Sequence, residues 1–275
     1  MLRRLRWECE IMRLLFTPRW SVNVSVHKHD KRLEDFPPNC EPYQGIGRLW
    51  SQTAGRLANL YDPFLRSASR YYAVPIRSVL DLACGTGVLV RSVAGWAECV
   101  VGLDASDAML REARSQTTNP NVRCVHGDFK SFRLNETFDA VICSGDSINY
   151  LQTPGELVGL LGRVRDHLIP GGLFAFDVLD HRRCTVLTHL KTVVTLGSER
   201  FEIYYFYDPK SRVSESRGVI GKAIERHRRI PIDEDDVYGA AGKARLDVVA
   251  SFSLSRYLTR FVVGRQYYVL RKSRK

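Results

Sequence analysis

Continuously apolar segments alternate with amphipathic segments along the middle of the chain. Five apolar segments predict buried β-strands: RSVLDLAC, CVVGLDA, NVRCVHGDF, FDAVICSG and PGGLFAFDVL. The segments between them, among them SDAMLREARSQ and PGELVGLLGRVRDHL, have apolar residues at helical spacing. Strands and helices that alternate in this way are typical of parallel strands joined by crossover helices. The pattern therefore predicts an α/β fold with a doubly wound, mostly parallel sheet.

The pattern changes after Asp180, at the end of the fifth predicted strand. The segment KTVVTLGSERFEIYYFYDPKSRVSESRGVIG alternates polar and apolar residues between turn residues, which predicts antiparallel hairpins. We expect these hairpins to form a small antiparallel annex at about residues 181–230. The segment PIDEDDVYGAAGKA predicts a short helix, and RLDVVASFSL and GRQYYVLRK predict the last two strands of a seven-stranded sheet.

Positive charge is concentrated at the two ends of the chain. The formal net charge is +11, and the terminal segments MLRRLRWECEIMRLLF and LRKSRK hold much of the excess. This distribution favours solvated termini over a basic groove for nucleic acid. We expect residues 1–42 to be a poorly ordered N-terminal extension and residues 43–275 to form one domain.

Cysteine usage and hydropathy indicate the cellular setting. The chain has seven cysteines and no C-x-x-C pair, and four of them lie in or beside predicted strands: Cys84, Cys99, Cys124 and Cys143. Such cysteines are typical of small buried side chains in a reducing compartment. No apolar run approaches the roughly 20 residues that cross a bilayer. We therefore expect a soluble, cytoplasmic protein that does not bind a membrane.

A glycine turn follows the first predicted strand, in VLDLACGTG. Glycine permits a positive φ and has no Cβ, so a ligand can lie against the backbone at Gly85 and Gly87. Asp104 ends the second strand, 19 residues after Gly85, where an acid can accept the hydroxyls of a ribose. With Asp81 in the first strand and Asp128 after the third, these acids predict a cationic nucleoside ligand. Val90 occupies the third glycine position of G-x-G-x-x-G, which disfavours a nicotinamide dehydrogenase.

Several motifs, in order and spacing, resemble one known family. VLDLACGTG, GLDASDAML, GDF, FDAVICSGDSINYL and PGGLFAFDV resemble the class I S-adenosylmethionine-dependent methyltransferases. The nearest resemblance is to small-molecule N-methyltransferases of the glycine N-methyltransferase and sugar-amine type, and it covers about Leu49 to Lys272. It implies S-adenosylmethionine as cofactor and methyl transfer to a nitrogen or oxygen of a small-molecule acceptor. In-line displacement of this kind needs no metal and no covalent intermediate.

The resemblance also assigns residues to the cofactor. The assigned positions are Asp81, Ala83, Gly85, Thr86, Gly87, Asp104, Ala105, Met109, Asp128, Phe129, Cys143, Ser144 and Gly145. The glycine turn would contact the methionine part, and Asp104 would hold the ribose. Asp128 and Phe129 would meet the adenine, and the segment from Cys143 to Gly145 would pass under the sulfonium.

The acceptor side is less defined by the sequence. An amine must lose its proton to attack, and Tyr61, Asp146 and Tyr150 are candidates to accept that proton. Tyr61 and Tyr150 are equally consistent with packing aromatics. Tyr150, in SINYL, stands where the family has a substrate-side histidine. Asp177 in FDVLDH has no accompanying asparagine, which disfavours a metal-dependent catechol-type enzyme.

Two other functions remain open at this stage. The chain would act on RNA or protein if its basic segments formed a binding surface, or it would bind S-adenosylmethionine without transferring the methyl group. The motifs of exocyclic-amine and arginine methylases are absent after the fourth strand, where the chain has SGDSINY. We expect the aromatic segment FEIYYFY to cover the donor's methyl group, which suits a small organic acceptor. The oligomeric state is not predicted.

Overall fold

The computed structural model describes residues 23–40, 43, 61–196, 198–253 and 265–274. Its strands are β1 (Asn23–Lys28), β2 (Ser78–Leu82), β3 (Cys99–Asp104), β4 (Val122–His126), β5 (Phe138–Cys143), β6 (Leu168–Leu179), β7 (Leu190–Leu196), β8 (Glu199–Asp208), β9 (Val213–Ile220), β10 (Ala223–Arg229), β11 (Leu246–Ser253) and β12 (Arg265–Lys272). Its helices are α1 (Tyr61–Tyr72), α2 (Val88–Ala94), α3 (Asp107–Ser115), α4 (Pro154–Asp166), α5 (His181–Leu187) and α6 (Glu234–Ala244), with short 3₁₀ helices at Leu33–Asp35 and Ser147–Tyr150.

A seven-stranded sheet forms the centre of the molecule. Its strand order is β11-β12-β6-β5-β2-β3-β4, and the five strands from β2 to β6 are parallel to one another. Strand β12 is antiparallel to both of its neighbours. The chain runs outward from β2 through β3 to β4 and then returns to β5 on the other side of β2. Ligands bind at the carboxyl ends of strands beside such a reversal. The predicted α/β fold class is confirmed.

Both faces of this sheet are covered, as continuously apolar strands require. On β2, Val79 packs with one buried cluster that includes Leu65 of α1 and Val93 of α2. Leu80 points to the other cluster, which includes Leu161 of α4. Because successive side chains of a strand point to opposite faces, one strand holds two helical layers together.

An antiparallel sheet of five strands follows in the order β1-β7-β8-β9-β10. Four of these strands lie within the annex predicted at residues 181–230, after the fifth strand of the central sheet. The fifth differs from expectation, because Asn23–Lys28 belongs to the predicted N-terminal extension. It pairs antiparallel with β7, from Asn23 opposite Thr195 to Lys28 opposite Leu190. Without it β7 would be an edge with unpaired backbone groups, so this part of the extension completes the sheet.

Asn149 fastens the annex to the carboxyl edge of the central sheet. Its side chain is fully buried, donates to the carbonyls of Leu179 and Ile230 at 2.8 Å, and accepts the N–H of Leu179 at 2.8 Å. The N–H of Ile230 also donates to the Asn149 carbonyl at 2.8 Å. The end of β10 is therefore held beside the ends of β5 and β6.

Candidate active site

The turn after β2 leaves space above one glycine and none above another. Ala83, Gly85 and Gly87 all have positive φ, at +55°, +55° and +72°. A Cβ added to Gly85 would meet no atom within 4 Å, whereas one on Gly87 would lie 3.1 Å from the Cβ of Ala113. Gly85 therefore leaves backbone open to a ligand, while Gly87 allows the turn to pack against α3.

Asp104 joins this turn to the start of α3. Its two carboxylate oxygens accept the N–H of Gly85 and the N–H of Ser106, each at 2.8 Å. Burial raises the pKa of Asp104, and the N–H groups of Ser106 and Gly85 act in the opposite direction. Each oxygen keeps a second lone pair. The carboxylate can therefore hold the turn and accept a ligand hydroxyl at the same time.

Asp81 is a buried carboxyl group beside Asp104. It is 1% exposed, and its Oδ1 atom has no hydrogen-bond partner among the residues that the structure describes. Burial, followed by the charge of Asp104, raises the pKa of Asp81 well above its ordinary value. A buried carboxyl without a partner is costly. A cationic ligand at this edge would offset that cost.

We expect Asp81→Asn to stabilise the ligand-free protein at neutral pH. Because the pKa is raised in the folded chain, the contribution of Asp81 to stability is complete below about pH 3.8 and is lost as the pH rises through the folded value. Asn has no ionisable group, so the free energy of unfolding of Asp81→Asn does not fall over that pH range. Urea unfolding across pH measures it, with Asp247→Asn at an exposed position of β11 as the matched control. Parallel pH curves for wild type and Asp81→Asn would contradict the expectation.

A second open turn follows β5, next to β2 in the sheet. Gly145 has a φ of +75°, and a Cβ added there would meet no atom within 4 Å. Leu82 pairs with Cys143, so the two turns leave the same edge. Cys143 itself is fully buried, and the Ser144 carbonyl accepts the Ser147 hydroxyl at 2.8 Å. Together the two open glycines form a cradle, which we define as the turns at Ala83–Gly87 and Ser144–Asp146.

Asp177, at the end of β6, fixes the second turn of the cradle. One carboxylate oxygen accepts the N–H of Gly145 at 2.9 Å and the hydroxyl of Tyr61 at 2.6 Å. The other accepts the N–H of Asp146 at 2.9 Å and pairs with Arg265 at 2.5 Å. Asp177 is 1% exposed. The geometry therefore makes it the support of the turn rather than a metal ligand.

Asp146 lies between two guanidinium groups. Its Oδ1 is 2.6 Å from Nη2 of Arg265, and its Oδ2 pairs with Arg229 of β10. Burial lowers the pKa of each arginine, but Asp146 raises it together with Tyr150 at Arg229 and Asp177 at Arg265, so both pKa values are raised. Both oxygens of the carboxylate are therefore engaged by guanidinium groups. This geometry favours a structural role for Asp146 over the predicted catalytic one.

The two tyrosines predicted as proton acceptors have different surroundings. Tyr61 is buried and donates to Asp177, and burial followed by the charge of Asp177 raises its pKa well above 10. It stays a hydrogen-bond donor. Tyr150 is partly exposed, and its hydroxyl lies 2.8 Å from the Tyr43 hydroxyl and 2.7 Å from Nδ1 of His227. Of the three predicted candidates, Tyr150 is therefore the one placed beside a nitrogen that can take a proton.

The remaining predicted cofactor residues follow β3 and β4, with Met109 inside α3, except for Thr86 in the turn after β2. Asp128 is exposed, and its Oδ1 accepts the N–H of Lys130 at 2.8 Å. Phe129 packs partly against the core, and Met109 is buried. Ala105 is exposed. Thr86, also predicted to contact the cofactor, is 2% exposed, and its carbonyl accepts a guanidinium N–H of Arg91 at 2.6 Å, so it supports the turn from inside.

Several residues around the site were not predicted, among them His227, Arg229 and Arg265. In β10 the residues Glu225, His227 and Arg229 recur with the period of two that places side chains on one face of a strand. That periodicity is visible in the segment ERHRRI, but charged residues in a strand ordinarily face water. In the structure this face is turned toward the ends of β5 and β6.

The aromatic strand β8 is arranged differently from the predicted cover. Tyr204 and Phe206 pack with His29 and Phe36, at ring-centroid distances from 4.3 Å to 6.4 Å, on one side of the antiparallel sheet. On the other side, Tyr207 contacts His181 of α5. The contacts from the annex to Asp146 and Tyr150 come from β10. The covering role of FEIYYFY stays a prediction.

The described residues contain neither a metal-binding cluster nor a membrane-spanning helix. Within the described ranges, no group of three or more His, Cys, Asp or Glu side chains is arranged to hold a metal ion. Among the helices in those same ranges, none combines the length and the apolar character that a membrane span requires.

The sequence and fold match known proteins. Residues 79–172 match the methyltransferase domain family. The chain is 36% identical over 135 residues to dTDP-3-amino-3,6-dideoxy-alpha-D-glucopyranose N,N-dimethyltransferase of Streptomyces fradiae. This match covers 49% of this chain and 49% of that protein. It is 36% identical over 140 residues to the cypemycin N-terminal methyltransferase of a Streptomyces species, covering 51% of this chain and 54% of that protein. The chain thus spans about half the length of the curated relatives that it matches.

Solved structures share the fold. A S-adenosylmethionine-dependent methyltransferase from Clostridium acetobutylicum superposes with a TM-score of 0.69 at 21% identity, covering 84% of this chain and 99% of that one. The amino pentose methyltransferase CalS10 from Micromonospora echinaspora superposes with a TM-score of 0.64 at 22% identity, covering 89% and 100%. At such identities these structures show the fold alone. Together with the family match at residues 79–172, they confirm that the chain resembles the class I S-adenosylmethionine-dependent methyltransferases.

Proposed function

We propose that this protein is an S-adenosylmethionine-dependent methyltransferase whose acceptor is the amine of a small molecule. The observation that carries the proposal is the cradle, which has open backbone at Gly85 and Gly145 and lies at the strand reversal, within the residues that match the methyltransferase domain. Relatives named for amino-sugar N,N-dimethylation match over this half of the chain. A nucleotide-linked amino sugar is therefore the acceptor class that we favour.

The residues of the cradle fit S-adenosylmethionine. The space above Gly85 and Gly145 is what an added Cβ would fill, and the unpartnered Oδ1 of Asp81 is suited to a cation. Asp104 can accept ribose hydroxyls while it holds the turn. When bound, S-adenosylmethionine supplies a methyl group on a positively charged sulfur.

The protein's own contribution is alignment and exclusion of water. The cradle would fix one reactant, and the annex, tied to the same edge by Asn149, would limit access of solvent. Holding two reactants in the productive geometry can supply roughly 7–11 kcal/mol of the barrier. An amine acceptor must in addition arrive without its proton.

The test is methyl transfer to a defined set of acceptors. The protein is incubated with labelled S-adenosylmethionine and nucleotide-linked amino sugars, alongside the same sugars with hydroxyl groups in place of the amines. We expect label only on the amino sugars, detected by mass spectrometry. If the label appeared in RNA or protein instead, the acceptor would be a macromolecule rather than a small molecule. If the protein bound the donor but transferred no methyl group, it would be a silent binding module.

Asp104→Ala tests the donor half of the proposal. A hydrogen bond to a charged group is worth about 1.5–3 kcal/mol, so losing one or two should weaken donor binding on the order of 10- to 10,000-fold. Calorimetry measures the affinity. Asp107→Ala, at an exposed acid in the first turn of α3, is the matched control and should bind the donor as wild type does. Equal affinities for the two variants would remove Asp104 from the site.

A further inference from the structure

A hydroxyl, an imidazole and a carboxylate stand in line between the annex and the cradle. Nδ1 of His227 lies 2.7 Å from the hydroxyl of Tyr150, and Nε2 of His227 lies 3.4 Å from Oε2 of Glu225. His227 and Glu225 are on one face of β10 and are buried, with Glu225 at 0% exposure. Tyr150 is half-buried, so of these three residues it is the one nearest to solvent.

The contacts define the direction in which a proton can move. The carboxylate of Glu225 is 3.4 Å from Nε2 of His227, so its negative charge favours the imidazole tautomer that carries its proton on Nε2. Oε2 of Glu225 also accepts the N–H of Tyr43 at 2.9 Å, which fixes its position. Nδ1 of His227 is then bare and accepts the Tyr150 hydroxyl. Tyr43 completes the line with a hydroxyl 2.8 Å from that of Tyr150.

The charge states suit a proton acceptor. Burial lowers the pKa of His227 below 6.5, while the nearby carboxylate of Glu225 raises the pKa and the charge of Arg229 lowers it. The imidazole is therefore neutral at neutral pH. Burial raises the pKa of Tyr150 to about 12, so Tyr150 is a hydroxyl there. Among the residues that the structure describes, the ionisable groups that face His227 are Glu225 and Arg229 on β10, and Tyr43, Tyr150 and Asp146 outside this strand.

The same strand connects this line to the cradle. Arg229 follows His227 by two residues and pairs with Asp146, which belongs to the turn after β5. The 3₁₀ helix Ser147–Tyr150 begins directly after that turn. The Tyr150 hydroxyl is thus held by β10 beside the edge at which both turns of the cradle open.

We propose that Tyr150, His227 and Glu225 form a proton relay that deprotonates the acceptor amine during methyl transfer. This inference rests on the proposed function. As the bond from the acceptor nitrogen to the methyl carbon forms and the sulfur–carbon bond breaks, the nitrogen's proton passes to the oxygen of Tyr150. The hydroxyl proton of Tyr150 passes to Nδ1 of His227, and Glu225 stabilises the imidazolium. After product leaves, the proton returns along the same line to solvent.

The first test separates rate from binding. General acid–base catalysis contributes typically 10²- to 10⁴-fold, so His227→Asn should lower kcat by about that factor with little change in KM or donor affinity. Tyr150→Phe should behave alike, and Glu225→Gln should lower kcat by a smaller factor. His181→Asn is the matched control, because His181 also contacts a tyrosine hydroxyl through Nδ1 but is exposed. It should turn over as wild type does.

The pH profile adds a readout that a structural role would not move. The wild-type kcat should fall as the pH drops through the lowered pKa of His227, because the protonated imidazole cannot accept. In His227→Asn the fall of kcat at low pH should instead follow the protonation of the acceptor amine itself. If His227→Asn does not fold, Tyr150→Phe, which loses one hydroxyl, gives the decisive profile. Wild-type kcat and profile in both variants would overturn the relay.

A measurement on the ligand-free protein tests the relay without any turnover. Nitrogen NMR of the imidazoles should show His227 with its proton on Nε2 and a pKa below 6.5. Glu225→Gln should lower that pKa further, because the stabilising charge is gone. A proton on Nδ1 in the wild type would overturn the relay. Failure of the proposed function would give a different result from failure of the relay. The wild type would then methylate no amine, although NMR would still find the proton of His227 on Nε2.

Discussion

Asp177→Ala is expected to lower the free energy of unfolding by about 3–5 kcal/mol, as the removal of one partner from a buried ion pair does. The substitution removes one of the two carboxylates that pair with the guanidinium of Arg265 and leaves only Asp146. It also removes the acceptor for the N–H groups of Gly145 and Asp146 and for the hydroxyl of Tyr61. Urea unfolding followed by far-UV circular dichroism measures the change. The turn after β5 should lose its fixed position, so donor affinity should fall as well.

Asp166→Ala is the matched control for this prediction. Its carboxylate lies 2.6 Å from Arg165, but the Asp166 side chain is 62% exposed, whereas that of Asp177 is 2% exposed. Exposed pairs contribute about 0–1 kcal/mol. A similar small effect for both variants would show that the buried network does not stabilise the fold.

A double substitution identifies the cause of the loss. In Asp177→Ala with Arg265→Met, no unpaired guanidinium remains from that pair, and Asp146 still has Arg229. Replacing a buried ion pair by apolar side chains is often neutral, so the double variant should regain part of the stability that the single variant loses. A strictly additive loss would mean that the hydrogen bonds of the turn, rather than the charge pair, dominate.

The central sheet could be predicted because its information is local. Each strand is a continuous apolar run, and each helix has its own periodicity, so β2 to β6 and the helices between them were found without knowledge of their partners. The pairing of Gly85 with Asp104 was also accessible, since parallel neighbours place successive strand ends together.

The charged network could not be predicted in the same way. Asp146, Asp177, Arg229 and Arg265 come from four places in the chain, and no local pattern pairs them. Charged residues in a strand ordinarily face water. Glu225, His227 and Arg229 become interior only because Asn149 brings β10 against the central sheet. Strand β1 is a similar case, since its partner β7 lies more than 160 residues away.

Gly85→Val is expected to abolish donor binding, with a loss of at least about 100-fold in affinity, or about 2.8 kcal/mol. A Cβ added to Gly85 meets no atom within 4 Å, so the new side chain extends into the space of the cradle. The φ of +55° adds strain of roughly 1–2 kcal/mol for a residue with a Cβ. Calorimetry and urea unfolding, measured on the same variant, separate these two effects.

Gly221→Val is the control that matches both features of Gly85. Gly221 lies in the turn between β9 and β10, has the same φ of +55°, and an added Cβ there also meets no atom within 4 Å. Both variants should therefore lose a similar amount of stability to backbone strain. Only Gly85→Val should lose the donor, because only that turn opens on the carboxyl edge beside Asp104. If Gly85→Val binds the donor as tightly as Gly221→Val, the ligand does not lie against the turn after β2, and the cradle is misplaced.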